Sequence, residues 1–267
     1  MRGFFDGMYT PDPGVVDGIL GISVIYALAV GPGRRYLDPD QPFERKRAGL
    51  FSLGVLFLIL AVASPLDHIG ETYLFSAHML QHVILMFVIP PFFIWGTPVW
   101  LSDFLFRTEG LGRVLKVLVH PIVAGVIYNA ALILWHLPAF YELALRDPLV
   151  HLLEHIIFVA ASTAMFWVVL GRRSDKKEMH NGLKLLYVLG VNIGQLPLFG
   201  VLTFATHPLY PTYAAAPRYF EDLGPLDDQI LGGVIMKVFA GLYMLAWLSV
   251  YFYRWYKSES GRSSSRR

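Results

Sequence analysis

The sequence predicts an all-α integral membrane bundle of seven transmembrane helices, with the N-terminus outside and the C-terminus in the cytoplasm. Three observations carry that reading. Hydrophobic residues make up 55% of the 267-residue chain and charged residues only 16%, whereas soluble domains carry about 25% charged residues. The apolar residues gather in runs of roughly 20, the length that crosses a hydrocarbon core of about 30 Å at about 1.5 Å per residue. Lys and Arg concentrate in alternate connections, as they do when every second loop faces the cytoplasm.

Seven segments follow in order, each bounded by charge, Pro or Gly: roughly Val15 to Val30, Ala48 to Ser64, Ser76 to Trp95, Leu118 to Leu137, Leu149 to Leu170, Leu183 to Phe204, and Gln229 to Tyr253. Lipid offers the backbone no hydrogen bonds, so runs of this length form helices and not the alternating strands of a barrel. The first segment is short and contains Gly18 and Gly21, which tilt or bilayer thinning accommodates. Pro90-Pro91 and Pro197 fall inside the third and sixth segments and are expected to kink them. Pro121 and Pro148 suit first helical turns, and Asp147 suits an N-cap. Residues 1–256 form a single transmembrane domain, and 257–267 read as a disordered basic cytoplasmic tail. Asp6 and Asp12 stand where a signal peptide would have its apolar core and cleavage site, so the first helix is expected to be retained.

Orientation follows from the loops. One set of connections holds Arg34, Arg35, Arg45, Lys46 and Arg47, then Arg107, Arg113 and Lys116, then Arg172, Arg173, Lys176, Lys177 and Lys184, and finally the basic C-terminal tail. The other set holds only Arg2, Arg146 and Arg218, and Lys237 lies within the last helix. A lone ammonium in hydrocarbon is costly, so Lys237 is expected to meet Glu154, the nearest acid by depth, or other acceptors. The net charge of +2 implies no nucleic-acid partner, and the absence of cysteine excludes disulfides, thiolate metal sites and thiol redox chemistry.

On that topology most of the nine histidines fall toward the outer side. His78-Met79-Leu80-Gln81-His82 opens the third helix and His151-Leu152-Leu153-Glu154-His155 opens the fifth. An i, i+4 pair places both rings on one helix face about 6 Å apart, which is chelating geometry. His136 closes the fourth helix at the same depth. Imidazole binds zinc and copper, and Met79 and Met86 offer thioethers to cuprous ions. A helix N-terminus keeps a ring neutral but also disfavours a bound cation, which suggests reversible binding. His68, His120, His180 and His207 stand alone, and a lone interfacial imidazole usually just hydrogen-bonds a carbonyl or headgroup. Asn129, Asn192 and Gln195 suit either a polar path or bonds between helices.

The stretches SPLDHIGETYLFSAHMLQHVILMFVIPPFFIWGTPVW, HPIVAGVIYNAALILWHLPAFYELALRDPLVHLLEHIIFV, THPLYPTYA and DDQILGGVIM resemble the CtaG-type cytochrome c oxidase assembly factors of the caa-oxidase class. The resemblance spans about Tyr9 to Trp255 and implies a multi-pass, non-enzymatic protein of the bacterial cytoplasmic membrane. It also implies copper supplied to haem-copper oxidase subunits, with the family's histidine motifs falling on His78, His82, His136, His151 and His155. Lys237 departs from the aromatic residue expected after the GGxxM stretch. Two alternatives stand beside this reading. Paired histidines on neighbouring helices also suit the axial ligands of a b-type haem. A permease would instead want inverted repeats and broken helices at the midplane.

Overall fold

Every regular element the residue pattern led us to expect as a membrane run is helical. The structure is a computed structural model that describes residues 10–38, 40–175 and 178–264, with backbone only at 259 and 261–264. The opening acidic segment up to residue 9, including Asp6, lies outside the described residues. Among the described residues the order is α1 (Pro13–Val30), α2 (Arg34–Leu37), α3 (Arg45–Val62), α4 (Pro65–Thr72) and α5 (Phe75–Val83). A π-helical turn (Ile84–Val88) then leads into α6 (Ile89–Gly96), α7 (Val99–Arg107), α8 (Leu111–Leu118), α9 (Pro121–Trp135), α10 (Pro138–Arg146) and α11 (Pro148–Leu170). The chain closes with α12 (Asn181–Gly194), α13 (Leu196–Thr203), α14 (Pro211–Ala215) and α15 (Pro225–Ser264). No strand occurs among them.

Among the described residues six helical stretches are long and apolar enough to span a membrane, and the bent pair α8 and α9 makes a seventh if it is counted as one span. The two halves of that pair meet at 76°. Pro121 explains the bend, because its ring drives the preceding residue out of the helical region, and His120 sits at an extended ψ of 131°. The expected fourth span therefore begins at Pro121, and its 15 residues reach about 22 Å. Large apolar side chains such as Leu20, Ile25, Ile122, Leu186 and Leu242 are exposed around the bundle, a surface suited to lipid.

The prolines act as expected, with a local detail the pattern did not give. Pro90 and Pro91 have no N–H to donate and their rings crowd the carbonyls one turn back, and the helix answers with a π turn immediately before them. Pro197 falls in the first turn of α13, after the chain breaks at Gln195. Asp147 caps α11, its carboxylate accepting from the backbone N–H of Leu149 and Val150. The last helix departs from expectation by continuing through Ser264, into the stretch read as a disordered tail, and residues 265–267 lie outside the described ones. A helix already nucleated adds residues at little cost, and Ser258 Oγ bonds back to the Trp255 carbonyl.

The chain Phe75–Gly96 is the central helix and most of it is buried. It packs on α15 through Gly232, where a Cβ would come within 2.5 Å of the Phe75 ring. Only the bare backbone permits that approach. Below this contact, Met86 and Phe87 are core packing, and Phe87 meets Tyr128, Phe166 and Tyr243 edge to face.

Candidate metal centre

Two helix starts are held side by side at one end of the bundle. The N-cap position of α5, Leu74, has no side chain able to cap it. Asp228 from α15 does so instead, accepting from the backbone N–H of Phe75 at 2.7 Å and of Ser76 at 3.2 Å. Asp147 fixes the start of α11. Each helix then presents its fourth and eighth residues on one face: His78 and His82 from α5, His151 and His155 from α11.

The four rings converge. Within each pair the centroids lie 4.3 Å (His78–His82) and 4.1 Å (His151–His155) apart, closer than the ideal helix spacing. Across the helices His78 lies 5.3 Å from His151, and His82 lies 5.9 Å from His155. All four are buried, with His78 and His82 at 0% exposure. They form one buried cluster, with both i, i+4 pairs turned toward each other as chelation requires. Two groups have potential ligand atoms within 4.8 Å of one another: His78, His82 and His155, and His78, His151 and Glu154. Metal bonds of about 2.0–2.1 Å span such a set after small side-chain adjustment.

Hydrogen bonds fix the tautomer of two of these rings. Tyr213 Oη lies 2.6 Å from the Gly70 carbonyl, which can only accept, so the single hydroxyl proton points there. Burial pushes the Tyr213 hydroxyl well above its ordinary pKa, which keeps that proton in place. The hydroxyl oxygen is then an acceptor for His78 Nδ1, 3.1 Å away, and His78 carries its proton on Nδ1. His151 Nδ1 is likewise paired with the Glu71 carboxylate. In its neutral form each ring thus turns a bare Nε2 inward, the arrangement that carboxylate and hydroxyl partners impose on metal-ligating histidines.

Nothing in the protein meets those nitrogens. His78 Nε2, His151 Nε2, His155 Nε2 and both ring nitrogens of His82 are buried without a hydrogen-bond partner, and so are both carboxylate oxygens of Glu154. Glu154 Oε1 is 3.7 Å from His82 Nε2, beyond hydrogen-bonding reach. An unpaired buried polar group costs about 1–3 kcal/mol. Here several such groups point into one space, and a cation fits that donor set. The helix N-termini weigh against it less than expected, since their field fades within the first turn and Glu154 adds a carboxyl group at the cluster.

His136, expected at the same depth as the pairs, is buried beside the cluster with its centroid 5.4 Å from His82, but it belongs to neither group. Its Nδ1 meets the Leu132 carbonyl at 2.7 Å and its Nε2 faces Met79 Sδ at 3.4 Å. The remaining histidines have local contacts: His180 caps α12 through Gly182 N–H, His68 is 3.4 Å from Thr72 Oγ1, and His207 is 3.4 Å from Thr206 Oγ1. His120 is exposed at the start of α9. Lys237 corrects an expectation, because it lies 5.7 Å over the Phe199 ring and no contact with Glu154 is seen among the described residues. Its ammonium settles on a π face. Asn129 and Gln195 bond back to the Gly125 and Val191 carbonyls of their own helical turns.

Three contributors escaped the sequence reading of the site. Glu154 stands between the paired histidines, three residues after His151 and on the same face, so its place was legible although its role was assigned to Lys237. Glu71 and Tyr213 carry no spacing signal, since they reach the cluster from α4 and α14. Gly70 permits the first of these, because a Cβ there would sit 3.0 Å from His78 Cα. The α14 segment is pinned by Thr212, whose backbone N–H and hydroxyl donate to Glu142 at 3.0 and 2.7 Å.

The family model described as cytochrome c oxidase caa3 assembly factor (Caa3_CtaG) matches residues 24–258, a span that includes every residue of this cluster. No curated protein and no solved structure matches the chain. With most of its length matched, the chain belongs to the caa3 cytochrome c oxidase assembly factor family.

Proposed function

With that membership as premise, we propose that the protein receives a copper ion as cargo at its histidine cluster and supports metallation of a haem-copper oxidase, without catalysing a reaction itself. The observation that carries this reading is the set of unpartnered buried nitrogens on His78, His82, His151 and His155, gathered around the equally unpartnered Glu154 carboxyl group. Neutral imidazole is a good ligand for copper, and Glu154 would offset the charge of the ion in a medium where isolated charge is costly. Tyr213 and Glu71 hold two rings in the ligating tautomer before any ion arrives. His136 stands beside these four rings, 5.4 Å from His82.

In this reading the histidine end faces the outer side of the bacterial cytoplasmic membrane, because the connections at the opposite end carry most of the Lys and Arg. The oxidase subunits that accept the ion would dock from within the same bilayer. The experiment is a pair of substitutions, His78→Ala with His155→Ala, one from each helix. The double variant should fold and insert yet lose copper retention and oxidase assembly, while His180→Ala, whose ring caps α12, should retain both. A double variant that still holds copper and still supports assembly would reduce the cluster to packing.

A further inference from the structure

The ring of His136 is oriented by a partner that leaves no doubt about its proton. Its Nδ1 lies 2.7 Å from the Leu132 carbonyl oxygen. A carbonyl only accepts, so Nδ1 bears the hydrogen and Nε2 of the neutral ring is a bare lone pair. That lone pair faces Met79 Sδ at 3.4 Å, a thioether with no hydrogen to give. Two acceptors therefore confront each other with nothing between them, in residues only 2% (His136) and 0% (Met79) exposed. Protonating His136 would supply a hydrogen at the expense of a buried charge resting on sulfur, a poor acceptor. A soft cation between the two atoms resolves the conflict without that cost.

A third donor is at hand. Met79 and His82 are three residues apart on α5 and so are neighbours on the helix surface. The His82 centroid is 5.4 Å from that of His136, and neither nitrogen of His82 has a partner. The result is an imidazole–thioether–imidazole set beside His82, with Phe158 of α11 packed against both of its rings. Met86 shares the apolar core with Met79 but lies about two turns further along the chain, and among the described residues it is Met79 whose sulfur faces a histidine nitrogen.

We propose that His136, Met79 and His82 form a second metal position, selective for cuprous copper, which shares His82 with the four-histidine cluster. The proposal rests on the copper-handling reading above and deepens it. Thioether and imidazole together suit Cu(I), whereas zinc takes nitrogen, oxygen and thiolate ligands. The ion passes from one position to the other by ligand exchange about His82, with no change of oxidation state. Transfer in this direction leads away from Glu71 and His151 and toward α9 and α15.

The absence of cysteine gives the test its edge, because any sulfur bound to copper in this chain must be a methionine thioether. The full-length protein in detergent is loaded anaerobically with Cu(I), and X-ray absorption at the copper edge is recorded. The wild type should show a sulfur scatterer in the first shell, and Met79→Leu, a volume-conserving change, should lose it. Competition with a cuprous chelator should show Cu(I) affinity lowered by at least about tenfold in that variant, with Zn(II) binding unchanged. Met86→Leu should keep the sulfur shell. Copper bound by the wild type through nitrogen and oxygen alone overturns the second position and leaves the four-histidine reading standing, and that result needs no variant to fold. A sulfur shell that survives in Met79→Leu also overturns it. A wild type that takes up no copper removes the four-histidine reading and this one together.

Discussion

The two ends of the bundle treat polar groups in opposite ways. At the arginine-rich end the described charges find partners both close by in sequence and across the fold, and Arg47 also donates to the Trp95 and Thr97 carbonyls. Arg47 pairs with Glu44 at 2.6 Å, Arg173 Nε with Asp175 Oδ1 at 2.9 Å, and Lys184 with Glu178 at 3.3 Å. The Arg173 guanidinium also stacks 4.4 Å over Phe106. At the histidine end the polar groups come from α4, α5, α10, α11, α14 and α15, and the inner nitrogens of His78, His82, His151 and His155 and the Glu154 carboxyl oxygens are left without partners. The first arrangement is what a solvated membrane face needs to hold loops in place. The second is unfavourable in isolation, and under the proposed function a bound ion would complete it. A cluster of charge and a cluster of unsatisfied donors are thus different signals, and only the second marks this site.

That contrast can be sharpened from either side. The larger effect is expected at the histidine end from Tyr213→Phe, which removes the hydroxyl linking Gly70 to His78 and leaves the ring free to take the wrong tautomer. Outer partners of metal-binding histidines are worth about 10–100-fold in affinity, and a loss in that range should appear in copper competition titrations. An unaltered affinity would mean that His78 does not ligate through the nitrogen that faces inward. The smaller effect is expected at the other end from Asp175→Ala. The bond from Arg173 holds the Asp175 carboxyl below the usual carboxylate range. The stability it contributes is therefore fully present above the ordinary carboxylate pKa and fades as the pH falls through the lowered one. Because Asp175 is exposed, unfolding in nanodiscs should shift by less than about 1 kcal/mol. Copper affinity should not move, and a variant that lost copper would show that the ends are coupled.

Much of this architecture was legible beforehand, for identifiable reasons. The i, i+4 histidine pairs, the Asp147 cap and the prolines at helix starts depend on neighbours within one turn, and they lie as their spacing implied. The π turn ahead of Pro90-Pro91 and the 76° bend at Pro121 are responses to a local conflict whose form depends on packing. Glu71 and Tyr213 could not be read, because their partners His151 and His78 lie far away in the chain and are brought to them by tertiary contacts. Lys237 misled for a related reason: depth along a helix does not give direction around it, and its side chain turns to Phe199 while Glu154 faces the histidines.

The account stands most directly on what the untagged wild-type protein carries. Purified from membranes, exposed to copper under reducing conditions and washed, it should retain copper in stoichiometric amount with an absorption spectrum free of a haem band. A protein that retains no copper, or one that carries a haem spectrum in its place, would contradict it.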